Sequence, residues 1–492
     1  MASCDGEYFS YEVTDYYGNV VIKERNEKYE GEGTALDLSS LRAGYYEITA
    51  YDTLDAGERT QLAKTSISIL EEHEFASAEN SYFGINMHMH RGSIGNDNGS
   101  GWTFDLIKNA CSIGAMSIRE NREWQDAEAT PGSYSFGYEN YAGKLATRNM
   151  DMIMATGFKN TNYDNGEPPY TDDGIAAFAN YSKAAFDEYP KGLLKYQEMF
   201  NEWWKYSVDS EDNQNDHVDG TPEEYLKIAE RVYSTIDKTN YPDAVLFGEF
   251  SRDTDGWNKP LIDGGIVDLM DAAALHRYGV SYSTDDPVHL PEDAVVAESF
   301  RELREMMDAS GGEDKPIWLT ETGYTSSANK YGISEELQAK YLPRLMLMWI
   351  AEGAEKVFWY DLLDDGYDKN QSWINNHEYH FGLMRSKLNS MGAYSPKPAY
   401  VSFGVMARAV DGKTFAERTV KNDNIYRYRF ADETSEMSAL VALTPCSVTL
   451  STNAALTVTD IMGQKKTYSP QNGVVTLDLT DDIIYIDGAF TM

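Results

Sequence analysis

The chain has 492 residues, with 42 Lys and Arg against 80 Asp and Glu, a net charge of −38. Charge of that sign repels nucleic acid and anionic lipid, which leaves a neutral or cationic partner. A hydrophobic fraction of 42% is ordinary for a globular protein, the length allows two or three domains, and no run of about 18 apolar residues exists to span a membrane.

Residues 1–78 read as all-β. Alternating segments such as Tyr11-Glu12-Val13-Thr14-Asp15, Asn19-Val20-Val21-Ile22-Lys23 and Thr65-Ser66-Ile67-Ser68-Ile69 are separated by Gly, Asn and Asp turns, the pattern of a small immunoglobulin-like β-sandwich. Cys4, Cys111 and Cys446 lie far apart, against both a disulfide framework and a zinc site. The start carries no basic and apolar leader. Ser3-Cys4 followed by Asp5 and Glu7 resembles the mature start of a bacterial surface lipoprotein, so a secreted or cell-surface location is expected.

From Phe83 the pattern becomes strand then helix, eight times over. The strands are expected at Phe83 to Met87, Ala115 to Ile118, Met152 to Ala155, Tyr196 to Phe200, Val245 to Phe247, Asp271 to Leu275, Ile317 to Thr320 and Lys356 to Tyr360. Among the helices, Thr221-Pro222-Glu223-Glu224 reads as a cap, a first-turn proline and acidic first-turn residues. Glu335 to Glu352 places Leu337, Tyr341, Leu345 and Met348 at three- and four-residue steps, and Gly353 closes it. Eight alternations predict a (β/α)8 TIM barrel over 79–410, flanked by the N-terminal sandwich and by a second β-sandwich over 411–492. The last barrel helix is expected from Lys397 to Met406, after a long loop of the kind that forms lids and binding walls.

Two of the predicted strands are apolar runs that end abruptly in a carboxylate. One is Lys315-Pro316-Ile317-Trp318-Leu319-Thr320-Glu321, the other runs from Leu194 to Phe200 and on into Asn201-Glu202-Trp203-Trp204. In a parallel barrel the C-terminal strand ends meet at one mouth, so their polar residues belong together. Strand one ends near His88 and His90, strand two at Arg119 and Glu123, strand four at Asn201 and Glu202. Strand five offers Glu249, strand six His276 and Tyr278, strand seven Glu321, and strand eight Trp359 and Asp361.

This set resembles the clan A glycoside hydrolases, retaining (β/α)8 enzymes, and looks most like families 5 and 39. The resemblance covers about residues 80–408 and rests on Asn201-Glu202 after strand four and Glu321 at strand seven, with Arg119, His276-Arg277-Tyr278 and Trp359 in support. Family 39 usually has a proline after the Asn-Glu pair, where this chain has Trp203. The resemblance implies Glu321 as nucleophile and Glu202 as acid/base. Arg119 and Tyr278 would stabilise the nucleophile, Asn201 would bond the sugar 2-hydroxyl, and Trp359 would lie beneath the sugar ring. A leaving alkoxide needs a proton, so Glu202 is expected to be held protonated by burial and by its partner's charge.

It implies a neutral polysaccharide or oligosaccharide as substrate, no cofactor, and cleavage by double displacement, with endo action favoured. An exo-acting β-glycosidase such as a β-xylosidase, and a silent carbohydrate-binding barrel, are the alternatives. His88 and His90 alternate on one face and are expected to bond sugar or Asn201 rather than a metal. His276 also fits a buried, hydrogen-bonded histidine, and Glu249 is the rival acid/base, with pairing at the rim as its expected role. Trp203, Trp204, Trp257 and Trp373 are candidate sugar platforms, a use that competes with plain packing. The acidic runs 209–216 and 361–370 lack calcium-loop spacing and read as solvated loops.

Overall fold

The computed structural model describes residues 8–28, 35–53, 59–93, 101–206, 217–281, 285–366 and 375–492. The chain begins with β1 (Tyr8–Asp15), β2 (Val20–Lys28), β3 (Gly44–Thr53) and β4 (Arg59–Ile69), an antiparallel sheet in the order β2-β1-β3-β4. Tyr11, Val13, Tyr46 and Ile48 form its core, and Leu36, Leu38 and Leu41 pack against them. Among the described residues this N-terminal unit is a single sheet.

The eight expected parallel strands follow: β5 (Phe83–Met87), β6 (Ser117–Glu123), β7 (Asp151–Gly157), β8 (Leu194–Glu198), β9 (Val245–Phe250), β10 (Ala272–His276), β11 (Ile317–Thr322) and β12 (Lys356–Trp359). They close into a barrel through the pairing of β12 with β5. The strands read as continuous apolar runs because both faces are covered. Ile317 and Leu319 pack outward in the layer shared with the helices, while Trp318 points inward among Tyr196, Phe247 and Phe358. Ala272 and Ala274 on the neighbouring strand leave room for that indole.

The helices obey the signals read in the sequence. Thr221 and Glu224 form a reciprocal capping box at the start of Pro222–Thr235, and Gly353, with φ of 106°, ends Glu335–Glu352. The last barrel helix is Pro398–Val410.

The C-terminal strands are β13 (Thr414–Lys421), β14 (Ile425–Ala431), β15 (Glu436–Ala442), β16 (Cys446–Ser451), β17 (Leu456–Thr459), β18 (Lys465–Tyr468), β19 (Val474–Leu479) and β20 (Ile484–Asp487). Six form one sheet, β16 and β19 a second, and both contribute to one apolar core that includes Leu440, Leu450, Leu477 and Ile486. Both flanking units bind the barrel's outer side. Arg385 donates to Ser66 Oγ at 2.9 Å, and Arg418 pairs with Glu352 at 2.6 Å.

Barrel closure depends on a glycine at the β5–β12 seam. Gly84 sits opposite Phe358, and a Cβ there would lie 2.3 Å from the ring. Gly84→Ala is expected to cost about 1–3 kcal/mol through overpacking, read as a lower midpoint in thermal unfolding.

Candidate active site

The barrel mouth holds a cavity of about 860 Å³. Its walls include Asn86, His88, Arg119, Asn201, Glu202, Trp204, Lys205, His276, Tyr278, Glu321 and Tyr360.

Strand geometry explains how Glu321 reaches it. Simple alternation along β11 would put Glu321 on the outward face with Ile317 and Leu319. The register against β10 slips between the Leu275–Leu319 and His276–Glu321 pairs, and the register against β12 slips in the same stretch. Such an irregularity re-aims a side chain, here into the cavity. Glu202 arrives differently. Beyond β8 the chain passes through Phe200 at φ 124° and Glu202 at φ 55°. A non-glycine residue in the left-handed region costs about 1–3 kcal/mol, so the surroundings must hold it there.

Arg119 is 4% exposed and donates to the oxygens of four residues. Nε and Nη2 clasp Glu198 at 2.9 and 2.6 Å, while Nη1 bonds Asn86 at 2.9 Å and Glu321 at 2.7 Å. Nη2 also donates to Asn201 Oδ1 at 2.5 Å. The Tyr278 hydroxyl donates to the other Glu321 oxygen at 2.6 Å. Burial and the neighbouring Glu321 charge push the Tyr278 phenol far above its usual range, which keeps that proton in place.

His276 lies between the two glutamates. Its Nδ1 is 3.0 Å from Glu202 Oε1 and 3.6 Å from Glu321 Oε2. Its Nε2 faces Arg119 at 3.5 Å. Arginine only donates, so Nε2 is the acceptor and Nδ1 donates toward Glu202. Ligand-type atoms of Glu202, His276 and Glu321 all lie within 4.8 Å of one another, so the two carboxylates meet at one point of the cavity.

The expected protonation of Glu202 is not what the site shows. Burial pushes its carboxyl up, but the Lys205 ammonium and His276 outweigh burial and hold it far below the usual carboxylate range. Lys205 forms an ion pair with Glu202 while 64% of its side chain remains in solvent, where water and salt screen the pair. Glu249 behaves in the opposite way: burial, then the Glu198 charge, raises its carboxyl far above the usual range.

Several expected contacts fall elsewhere. Trp359 is fully buried, its indole N–H donates to the Phe381 carbonyl at 3.2 Å, and it does not line the cavity; the next residue, Tyr360, does. Trp203 is likewise buried, packed between Phe200 and Tyr206, and the ring at the wall is Trp204. In both cases the side chains alternate one residue out of step with the expectation. His88 sits on the wall and meets the Tyr360 hydroxyl at 3.3 Å, not Asn201. Trp257 lines the wall, and Trp373 lies outside the described residues. Asn86, Glu198 and Lys205 escaped sequence reading. Asn86 and Glu198 are polar residues inside apolar strands, which was the available signal.

Two further histidine-carboxylate sets could hold a metal by distance, His88-Asp361-Asp365 and Glu198-Glu249-His276. Each already has its countercharge: Arg91 is 2.5 Å from Asp365 and Arg119 clasps Glu198. Burial, with Asp365 and Asp364 alongside, pushes Asp361 toward its neutral form. In the second acidic run Asp364 pairs with Lys397 at 2.7 Å; residues 367–370 of that run and 209–216 of the first lie outside the described residues.

A closed barrel of eight parallel strands is the TIM-barrel fold, and here the glutamates that follow its fourth strand and end its seventh both line the mouth. The chain is similar in structure to a family 39 glycoside hydrolase from the gut symbiont Bacteroides cellulosilyticus WH2, at 20% identity and a TM-score of 0.73, over 98% of this chain and 95% of that one. It is also similar to a family 30 endoxylanase from Clostridium papyrosolvens C71 (15% identity, TM-score 0.55, 84% and 97% covered). A family 39 enzyme from Xanthomonas axonopodis pv. citri gives 12% identity and a TM-score of 0.54, over 84% and 95%. No protein-family model and no curated sequence matches. Identities this low establish the fold.

The Lys205 pair yields a titration prediction. Removing the ammonium takes away stabilisation of the charged form, so in Lys205→Met the Glu202 carboxyl should titrate at higher pH than in the wild type. Carboxyl-carbon NMR of glutamate-labelled protein reads this; an unmoved resonance speaks against the ion pair.

Proposed function

We propose that the protein is a retaining β-glycoside hydrolase acting on a neutral oligosaccharide or polysaccharide, with Glu321 as nucleophile and Glu202 as acid/base. The observation that carries this reading is the approach of the two carboxylates to within 4.8 Å, with His276 beside them. Retaining enzymes hold their carboxyl groups about 5–5.5 Å apart, whereas inverting ones leave about 6.5–9.5 Å for a water.

The residues divide the chemistry as follows. Arg119 and Tyr278 keep Glu321 ionised and aimed. Its carboxylate oxygen bonds the anomeric carbon as the glycosidic C–O bond breaks, and the leaving oxygen takes a proton from Glu202. In the second step Glu202 takes a proton from water, the water oxygen bonds the anomeric carbon, and Glu321 is released. Asn201, oriented by Arg119, is within the same cavity and suits the sugar 2-hydroxyl.

Glu202 has to acquire its proton first. A substrate entering the cavity would separate the exposed Lys205 ammonium from the carboxylate, leaving burial, which raises Glu202, with less to oppose it. Tyr360 and Trp204 supply the aromatic walls. The cavity volume lies near the top of the range for drug-sized ligands, about 300–1,000 Å³, which supports more than one sugar ring and endo action.

Glu321→Gln should lower turnover of an aryl β-glycoside by at least about 10⁴-fold, since the nucleophile is lost. Glu202→Ala should retain the first step on substrates with reactive leaving groups, stall at the second, and recover with azide. A mechanism-based fluoroglycoside should label Glu321. Wild-type rates in Glu321→Gln, or labelling elsewhere, would end the proposal, and no labelling at all would favour a silent sugar-binding barrel.

A further inference from the structure

Strand β9 places Glu249 inside the barrel beside the site but outside the cavity wall; it is 1% exposed. Its Oε2 accepts a hydrogen bond from the backbone N–H of Glu202, and its Oε1 finds no hydrogen-bond partner among the described residues. The strand end that carries it is fixed on both sides. The Glu249 N–H donates to the Tyr225 hydroxyl at 3.0 Å, and its carbonyl accepts from the Trp257 indole at 3.0 Å.

The bond matters because of where Glu202 stands. Past β8 the ladder ends with Met199 N–H on the Phe247 carbonyl at 3.1 Å. Three residues later Glu202, at φ 55°, has turned its N–H out of the ladder direction and into the protein, where a donor needs an acceptor. Glu249 supplies it. With the backbone held there, the Glu202 carboxylate stands 3.0 Å from His276 and faces Glu321.

We propose that Glu249 is a positioning residue for the acid/base: its carboxyl oxygen holds the Glu202 backbone in its left-handed turn and so sets the reach of the Glu202 side chain to the leaving oxygen. The inference rests on the acid/base reading of Glu202. Since Glu249 does not line the cavity, it acts through Glu202 and does not compete with it as the proton donor.

The test uses the full chain with Glu249→Gln, which keeps a carbonyl acceptor, and Glu249→Leu and Glu249→Met, which remove it. Each is assayed on an unactivated phenyl β-glycoside and an activated dinitrophenyl β-glycoside of the sugar the wild type prefers. A displaced acid costs most where the leaving group needs the proton. The apolar variants should therefore lose about 100-fold in kcat/KM on the phenyl substrate and less than about tenfold on the activated one. KM should change little on the phenyl substrate, azide should speed the second step on the activated one, and Gln should restore most of the phenyl rate.

Equal losses on both substrates would reduce Glu249 to general packing and overturn the proposal. A loss in Gln as large as in Leu would do the same, because the acceptor alone would then be insufficient. If the wild type cleaves neither glycoside, the hydrolase reading fails on its own. The crystal structure of the Leu or Met variant then decides the brace: Glu202 leaving the left-handed region supports it, and Glu202 unchanged overturns it.

Discussion

One buried guanidinium organises the mouth of this barrel. Arg119, on β6, reaches Asn86 on β5, Glu198 at the end of β8, Asn201 in the turn beyond it, and Glu321 on β11. A planar fork of donors can do this where lysine, a point charge, cannot. Burying the cation is costly, and two carboxylates and two amide oxygens offset that cost only while all are in place. The same contacts therefore fix strand ends from opposite sides of the barrel and the charge at the site. Geometry and electrostatics here cannot be varied separately.

The barrel was legible because its strands are buried on both faces and so leave uninterrupted apolar runs, each ending in polar residues. All eight expected strands form, and the glutamates of the fourth and seventh, with Arg119, Asn201, His276 and Tyr278, come to one cavity. What stayed hidden depends on local departures from period two. Trp203 and Trp359 point into the core and their neighbours Trp204 and Tyr360 face the cavity, since the chain leaves β8 through left-handed residues and β11 shifts register against β12 beside Trp359. Sequence alternation has no access to such slips. Lys205 was hidden for another reason: an exposed lysine three residues after a glutamate is usually unremarkable, and only the fold turns it toward the cavity.

Net charge also reads differently at the two scales. The chain carries −38 overall, yet several of its buried carboxylates stand beside a cation. Arg119 serves Glu198 and Glu321, Arg91 serves Asp365, and Lys397 serves Asp364. Glu249 and Asp361 instead shift toward their neutral forms. These buried carboxylates follow the rule that a buried charge is paired or removed.

That pairing is unequal at the two glutamates, and in our proposal the inequality separates their roles. Glu321 has a cation that is itself buried and held by the oxygens of three other residues, together with the Tyr278 phenol as a second donor. Glu202 has Lys205, which is mostly in solvent, and a hydrogen bond with His276. Two carboxylates this close repel, and the one with the removable countercharge is the one that takes up a proton when water is excluded. A sugar in the cavity would exclude that water, so arrival of the substrate would itself turn a matched pair of anions into a nucleophile and an acid.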